Sequence, residues 1–200
     1  MKPILAAAIA AVLALAGPAV AQTPAPAAAP VQKKMVDYLI NRPFVEGWYS
    51  WGLTPSPTPQ AVTGVTGGKA MAFEVRKAGN PWDVGAVMPN TGAIKKGDIV
   101  LLAVWVRRAG GPAGTKLPLI LLESSDEPKT TLARAQDVPL GEGWQMVYAS
   151  GQATADFAAG KTTVILQIGR DAQTLELGPA LIFDFGPDYD PARLPTNPPG

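Results

Sequence analysis

Asp98-Ile99-Val100-Leu101-Leu102-Ala103-Val104-Trp105-Val106-Arg107-Arg108 is the stretch on which the reading of this chain turns. Read with a period of two, one face carries Ile99, Leu101, Ala103, Trp105 and Arg107, and the other carries Val100, Leu102, Val104, Val106 and Arg108. Both faces stay apolar up to the terminal arginines. A strand of that kind is expected in the middle of a sheet, covered on both sides.

Working outward, apolar runs recur at Lys69–Lys77, Trp82–Val87, Lys116–Glu123, Trp144–Gln152, Lys161–Ile168 and Thr174–Phe185, and Phe44–Gly52 reads as the first strand. Turn clusters such as Gly79-Asn80-Pro81, Lys96-Gly97-Asp98 and Ala109-Gly110-Gly111-Pro112 separate them. Short strands at this spacing predict an all-β, antiparallel β-sandwich of the jelly-roll kind. In Lys69–Lys77, Met71, Phe73 and Val75 alternate with Ala72, Glu74 and Arg76, the pattern of a half-buried strand. Pro55, Pro57 and Pro59 predict a rigid loop over Thr54–Gln60, because proline cannot donate to a ladder.

The ends read differently. Lys2, the apolar run Ile4–Ala16 and the small residues of Ala19-Val20-Ala21 predict an export signal over residues 1–21. That run is short of the ~20 residues a membrane span needs, so a periplasmic or secreted protein with no membrane insertion after cleavage is expected. Residues 22–33 read as an Ala/Pro-rich linker, 34–187 as the sandwich, and 188–200 as a Pro-rich tail with little to bury. On that reading, removing Thr23–Pro30 and Pro187–Gly200 should leave the melting temperature almost unchanged.

The chain has no histidine and no cysteine. This excludes a Ser-His-Asp arrangement, histidine metal ligands, thiol chemistry and disulfides. Lysine and arginine (17) nearly balance aspartate and glutamate (16), without a basic stripe, so a nucleic-acid partner is not expected and a neutral ligand is. The one enzymatic option left is a carboxylate pair of the glycosidase type. Glu74, Glu123, Asp126, Asp156 and Glu176 are available, but no two form a motif. The sequence therefore assigns no catalytic residue, and a non-enzyme is expected.

Aromatic rings stack on the apolar C–H faces of sugars while polar neighbours bond the hydroxyls. Trp82, set in Gly79-Asn80-Pro81-Trp82-Asp83, is the first ligand-facing candidate, with Asn80 and Asp83 as polar contacts, and Trp51 is the second. The alternative for Trp82 is a cap on the sandwich edge. Arg107, Tyr148 and Gln167 are further candidates, on a sheet face that strand parity does not identify. Trp105 and Trp144 lie within apolar strands and are expected in the core.

Five segments in order then carry a resemblance: Phe44-Val45-Glu46-Gly47-Trp48, Gly68-Lys69-Ala70-Met71, Ile94–Asp98 leading into Val104-Trp105-Val106-Arg107, Trp144–Tyr148, and Leu181-Ile182-Phe183-Asp184-Phe185. Together they resemble the jelly-roll carbohydrate-binding modules of the family 4/9 type, within the galactose-binding-like group. The resemblance implies an oligo- or polysaccharide ligand held on a concave sheet or loop groove, and a glycoside hydrolase as possible partner. It also implies a structural calcium, with Glu46 and Asp184 at the matching positions. A structural or accessory envelope domain that binds protein remains the alternative, and a carboxylate-based glycoside hydrolase is a third.

Overall fold

Period-two alternation produces ten strands in the computed structural model, which describes residues 33–199. The expected export signal, and all but the last residue of the Ala/Pro linker, lie outside the described residues. The strands are β1 (Tyr49–Trp51), β2 (Pro59–Ala61), β3 (Lys69–Val75), β4 (Gly85–Pro89), β5 (Ile99–Gly110), β6 (Lys116–Ser124), β7 (Thr131–Pro139), β8 (Gln145–Gln152), β9 (Thr162–Gln167) and β10 (Gln173–Asp184). They form two five-stranded sheets, β1-β4-β9-β6-β7 and β2-β3-β10-β5-β8, with antiparallel pairing throughout. The fold is an all-β jelly-roll sandwich.

The core lies between the sheets. Phe73, Leu102, Val104, Leu175, Leu177 and Ile182 from one meet Ala86, Ile120, Leu122, Val164 and Leu166 from the other. Trp48 is the tryptophan of this core, with its indole N–H donating to the Gly178 carbonyl at 2.9 Å. Trp105 and Trp144 are not core residues, contrary to expectation. Both are half-buried on the outer side of the β5 sheet, where they hold the loop before β3. The Trp144 indole donates to Thr63 at 3.0 Å, and Trp105 and Val65 crowd Gly178 so closely that a Cβ there would stand 2.8 Å from each.

β5 is covered on both faces, as its sequence implied, and the cover comes from the segments before β1 and after β10. The outward residues Ile99, Leu101 and Ala103 are 5%, 2% and 1% exposed, beneath a second apolar cluster. Tyr38 and Leu39 of the lead-in belong to it, together with Tyr189 and Leu194 from beyond β10. The tail is therefore a packed strap, and the expectation that it buries little does not hold. Tyr189 stacks on Phe185 at 4.3 Å, Leu194 is buried, and Asn197 both accepts from Tyr148 N–H (2.8 Å) and donates to Tyr148 C=O (2.7 Å).

Three further differences are local. β2 forms at the end of the proline loop, where Pro59–Ala61 pairs with β3. The expected strand Trp82–Val87 begins only at Gly85, because Pro81–Asp83 is a 3-10 turn. β7 was not signalled by its sequence, and Thr131–Pro139 pairs with β6 at the sheet edge.

Candidate functional site

The outer face of the β1-β4-β9-β6-β7 sheet is built from residues that stand opposite one another in register. One row runs Trp51–Gly85–Gln167–Leu119–Gln136 across all five strands. Its neighbour, two residues along, runs Tyr49–Val87–Ile165–Leu121–Arg134, and a third holds Pro89, Thr163, Glu123 and Thr131. Directly opposed residues share a face of an antiparallel pair. Aromatic side chains thus lie at the β1 edge, a strip of Val87, Ile165, Leu119 and Leu121 in the middle, and Arg134 and Gln136 at the β7 edge. Four inter-strand steps give the row a length of about 19 Å.

This face differs from the other sheet's outer face in cover. Val87, Ile165, Leu119 and Gln167 are half-exposed on interior strands, and Tyr49 is 64% exposed. On the other sheet the equivalent outward residues of β5 are sealed by the strap. Gly85 explains how Trp51 lies here: a Cβ at that position would stand 2.1 Å from Trp51 Cζ2, so the ring lies across the sheet where a side chain would otherwise rise. Its indole N–H donates to the Trp82 carbonyl at 2.7 Å, fixing the ring in the plane it occupies.

Of the candidates, Trp51 and Gln167 come together in one row. Trp82 is 59% exposed on the turn that Trp51 grips, at the same end of the sheet. Asn80 and Asp83 are engaged within that turn: the Asp83 carboxylate accepts from Asn80 N–H at 2.7 Å, while Gly79 donates to Gly169 and Gly169 to Pro81. They make the turn that carries Trp82.

Arg107 and Tyr148 belong to the opposite sheet. Arg107 Nε donates to Glu176 at 2.6 Å with its guanidinium 4.9 Å from the Trp144 ring centre, and Tyr148 lies beneath the strap. Sequence reasoning missed Tyr49, Arg134 and Gln136. Tyr49 stands two residues before Trp51, so period-two parity could have found it, whereas Arg134 and Gln136 depended on the unrecognised β7.

Glu46 and Asp184 are not brought together as a calcium site would require. Glu46 pairs with Lys69 at 2.6 Å, which holds its carboxyl below the usual range. It lies beside Pro179, five strand residues or roughly 16 Å from Asp184. Asp184 accepts from Gly186 N–H at 2.9 Å, and burial, with Asp98 close by, pushes its carboxyl up. Among the described residues no group of three or more acidic side chains gathers to hold a metal ion. The residues do not fit the group.

Electrostatically the open face is mixed. Glu123 is half-buried and its carboxyl is raised by burial. At the end occupied by Trp82, Arg170 binds both Asp137 and Asp171, and the Arg170 contact lowers the Asp137 carboxyl. Among the described residues no helix is long and apolar enough to cross a membrane.

No family model matches the chain, and no curated protein matches it. Solved structures do. A family 4 carbohydrate-binding module is 20% identical with a TM-score of 0.50, over 70% of this chain and 95% of that one. The second N-terminal cellulose-binding domain of Cellulomonas fimi β-1,4-glucanase C is 15% identical with a TM-score of 0.53, over 78% and 96%. A Stig cyclase from Fischerella sp. TAU, solved with an indole compound, is 14% identical with a TM-score of 0.52, over 78% and 92%. The likeness is one of fold at these identities. The chain is a β-sandwich with the jelly-roll fold shared by the carbohydrate-binding modules.

Proposed function

We propose that the protein binds a neutral glycan along the outer face of the β1-β4-β9-β6-β7 sheet. The observation that carries this is the in-register row from Trp51 to Gln136, uncovered by any of the described residues, while the opposite sheet is sealed by the lead-in and the strap. Trp51 and Tyr49 offer rings for stacking, the aliphatic strip excludes water, and Gln167, Gln136 and Arg134 supply donors and acceptors for hydroxyls. Export to the periplasm or beyond accords with such a ligand, and a separate glycoside hydrolase is the partner class it suggests.

Binding is favoured over catalysis by the spacing of the carboxylates. Glu123 on β6 and Asp137 on β7 stand about 17 Å apart across the sheet, against the roughly 5–9.5 Å that glycoside hydrolysis uses, and the pair that lies close together, Asp137 and Asp171, is engaged on both sides by Arg170. That a cyclase shares the fold means the fold alone does not decide the matter.

The test is retention of the full chain by soluble neutral polysaccharides, hydroxyethyl cellulose and xylan, in affinity electrophoresis. Tyr49→Ala and Gln167→Ala should each weaken retention about 2- to 13-fold, the worth of one stacking or hydrogen-bonding contact. Glu74→Ala, on the other sheet, should leave it unchanged. Absence of retention by either polysaccharide, or equal loss in all three variants, would overturn the assignment.

A further inference from the structure

Pro118 lies inside β6 and has no N–H to give the ladder. Opposite it, Asp137 adopts φ 53°, the left-handed region that side chains rarely enter, and it is the one non-glycine to do so among the described residues. The break also resets the alternation of β6, since Leu117 and Ile120 both face the core while Leu119 faces outward. Strain of this kind persists only where surroundings hold it. Here the holder is Arg170, just beyond β9, which donates to Asp137 through Nη1 and to Asp171 through Nε at 3.3 Å. Because β6 lies between β9 and β7, the guanidinium bridges the end of β6.

This bridge borders the Trp51–Gln136 row. Gln167 is three residues before Arg170 and Gln136 adjoins Asp137, so the bridge and Trp82 form one rim of the open face. Arg170 Nη2 is not used by either aspartate. Two carboxylates on one guanidinium, with Lys116 near enough to act on Asp137, leave the cluster with its charges balanced, so it donates a hydrogen bond without presenting a free cation.

Resting on the reading of this face as a glycan site, we propose that Arg170 is a ligand-contacting residue whose bracket, Asp137 and Asp171, selects uncharged hydroxyl-rich chains over uronate-bearing ones. Arg170 donates to a hydroxyl, and Asp137 is a positioning residue that also cancels the charge a uronate would otherwise meet. A guanidinium released from such a bracket binds carboxylates through its planar fork.

The full chain and two variants decide this by affinity electrophoresis against hydroxyethyl cellulose, xylan and polygalacturonate, with melting temperatures alongside. Arg170→Gln should weaken binding of the neutral polysaccharide at least 5-fold. Asp137→Gly suits the left-handed backbone and should keep the fold. It should raise affinity for polygalacturonate at least 10-fold over wild type, a gain that salt removes. A merely structural Asp137 would produce no such gain. Wild-type affinity for the neutral chain in Arg170→Gln, or unchanged polygalacturonate binding in Asp137→Gly, overturns the proposal while leaving the face itself intact. If wild type binds neither neutral polysaccharide, the reading of the face falls instead.

Discussion

At the scale of single residues, the molecule uses asparagine where strand pairing runs out. Asn41 donates to Ala180 C=O at 2.9 Å and accepts from Ile182 N–H at 2.8 Å, completing β10 beyond the reach of β3. Asn197 treats Tyr148 on β8 in the same way. Gln173 is the counter-example: it is 3% exposed, and neither its amide oxygen nor its nitrogen has a partner. Leaving a buried polar group unpaired costs about 1–3 kcal/mol, so Gln173→Met, similar in length, should raise stability by about 1 kcal/mol in urea denaturation. A loss would show that the amide has a role in holding the end of β10. The tryptophans show what single residues reveal in advance. Trp51 was readable as a ring outside the core from the glycine and prolines after it, but Trp48, the core tryptophan, carried no distinguishing local signal. Trp144 reads like a core residue by its apolar neighbours, yet its face is set by the loop it pins.

Among elements, β5 was the most legible because both its faces are apolar. What sealed its outer face was not legible. Tyr189, Leu194 and Asn197 each anchor the strap alone, without a period, and prolines surround them. β7 was missed for a related reason: Ala133, Arg134, Ala135 and Gln136 are weak strand formers, and the edge position gives them only one neighbour. The strap carries a prediction opposite to that of its composition. Ending the chain after Gly186 would strip Leu194 and the Tyr189–Phe185 stack, worth about 1.5–3 kcal/mol for the leucine alone. It should lower stability by about 2–4 kcal/mol, with the aromatic pair adding to the leucine. It would also bare Tyr148 on the edge strand β8, so size-exclusion chromatography should show self-association. A monomer with wild-type melting temperature would mean the strap contributes nothing.

For the whole molecule, the two sheets are alike in strand number and unlike in what lies over them. Charge is balanced across the chain, and the open face carries Arg134 and Glu123 beside the bridged Arg170. Binding of an uncharged chain there releases few counterions. Affinity for hydroxyethyl cellulose or xylan should therefore change less than about 2-fold between 50 mM and 500 mM salt, where a charge-driven ligand would lose far more. A steep salt slope in titration calorimetry would point to an anionic ligand and away from the neutral class.

The strap and the lead-in have one more consequence. Lys33 lies over the Tyr38 ring and Asn197 is tied to β8, so both ends of the described segment stand on the sealed side of the sandwich. A bead, fluorophore or reporter coupled beside Lys33 or Asn197 would hold the protein by its back, with Trp51 and Tyr49 turned away from the support.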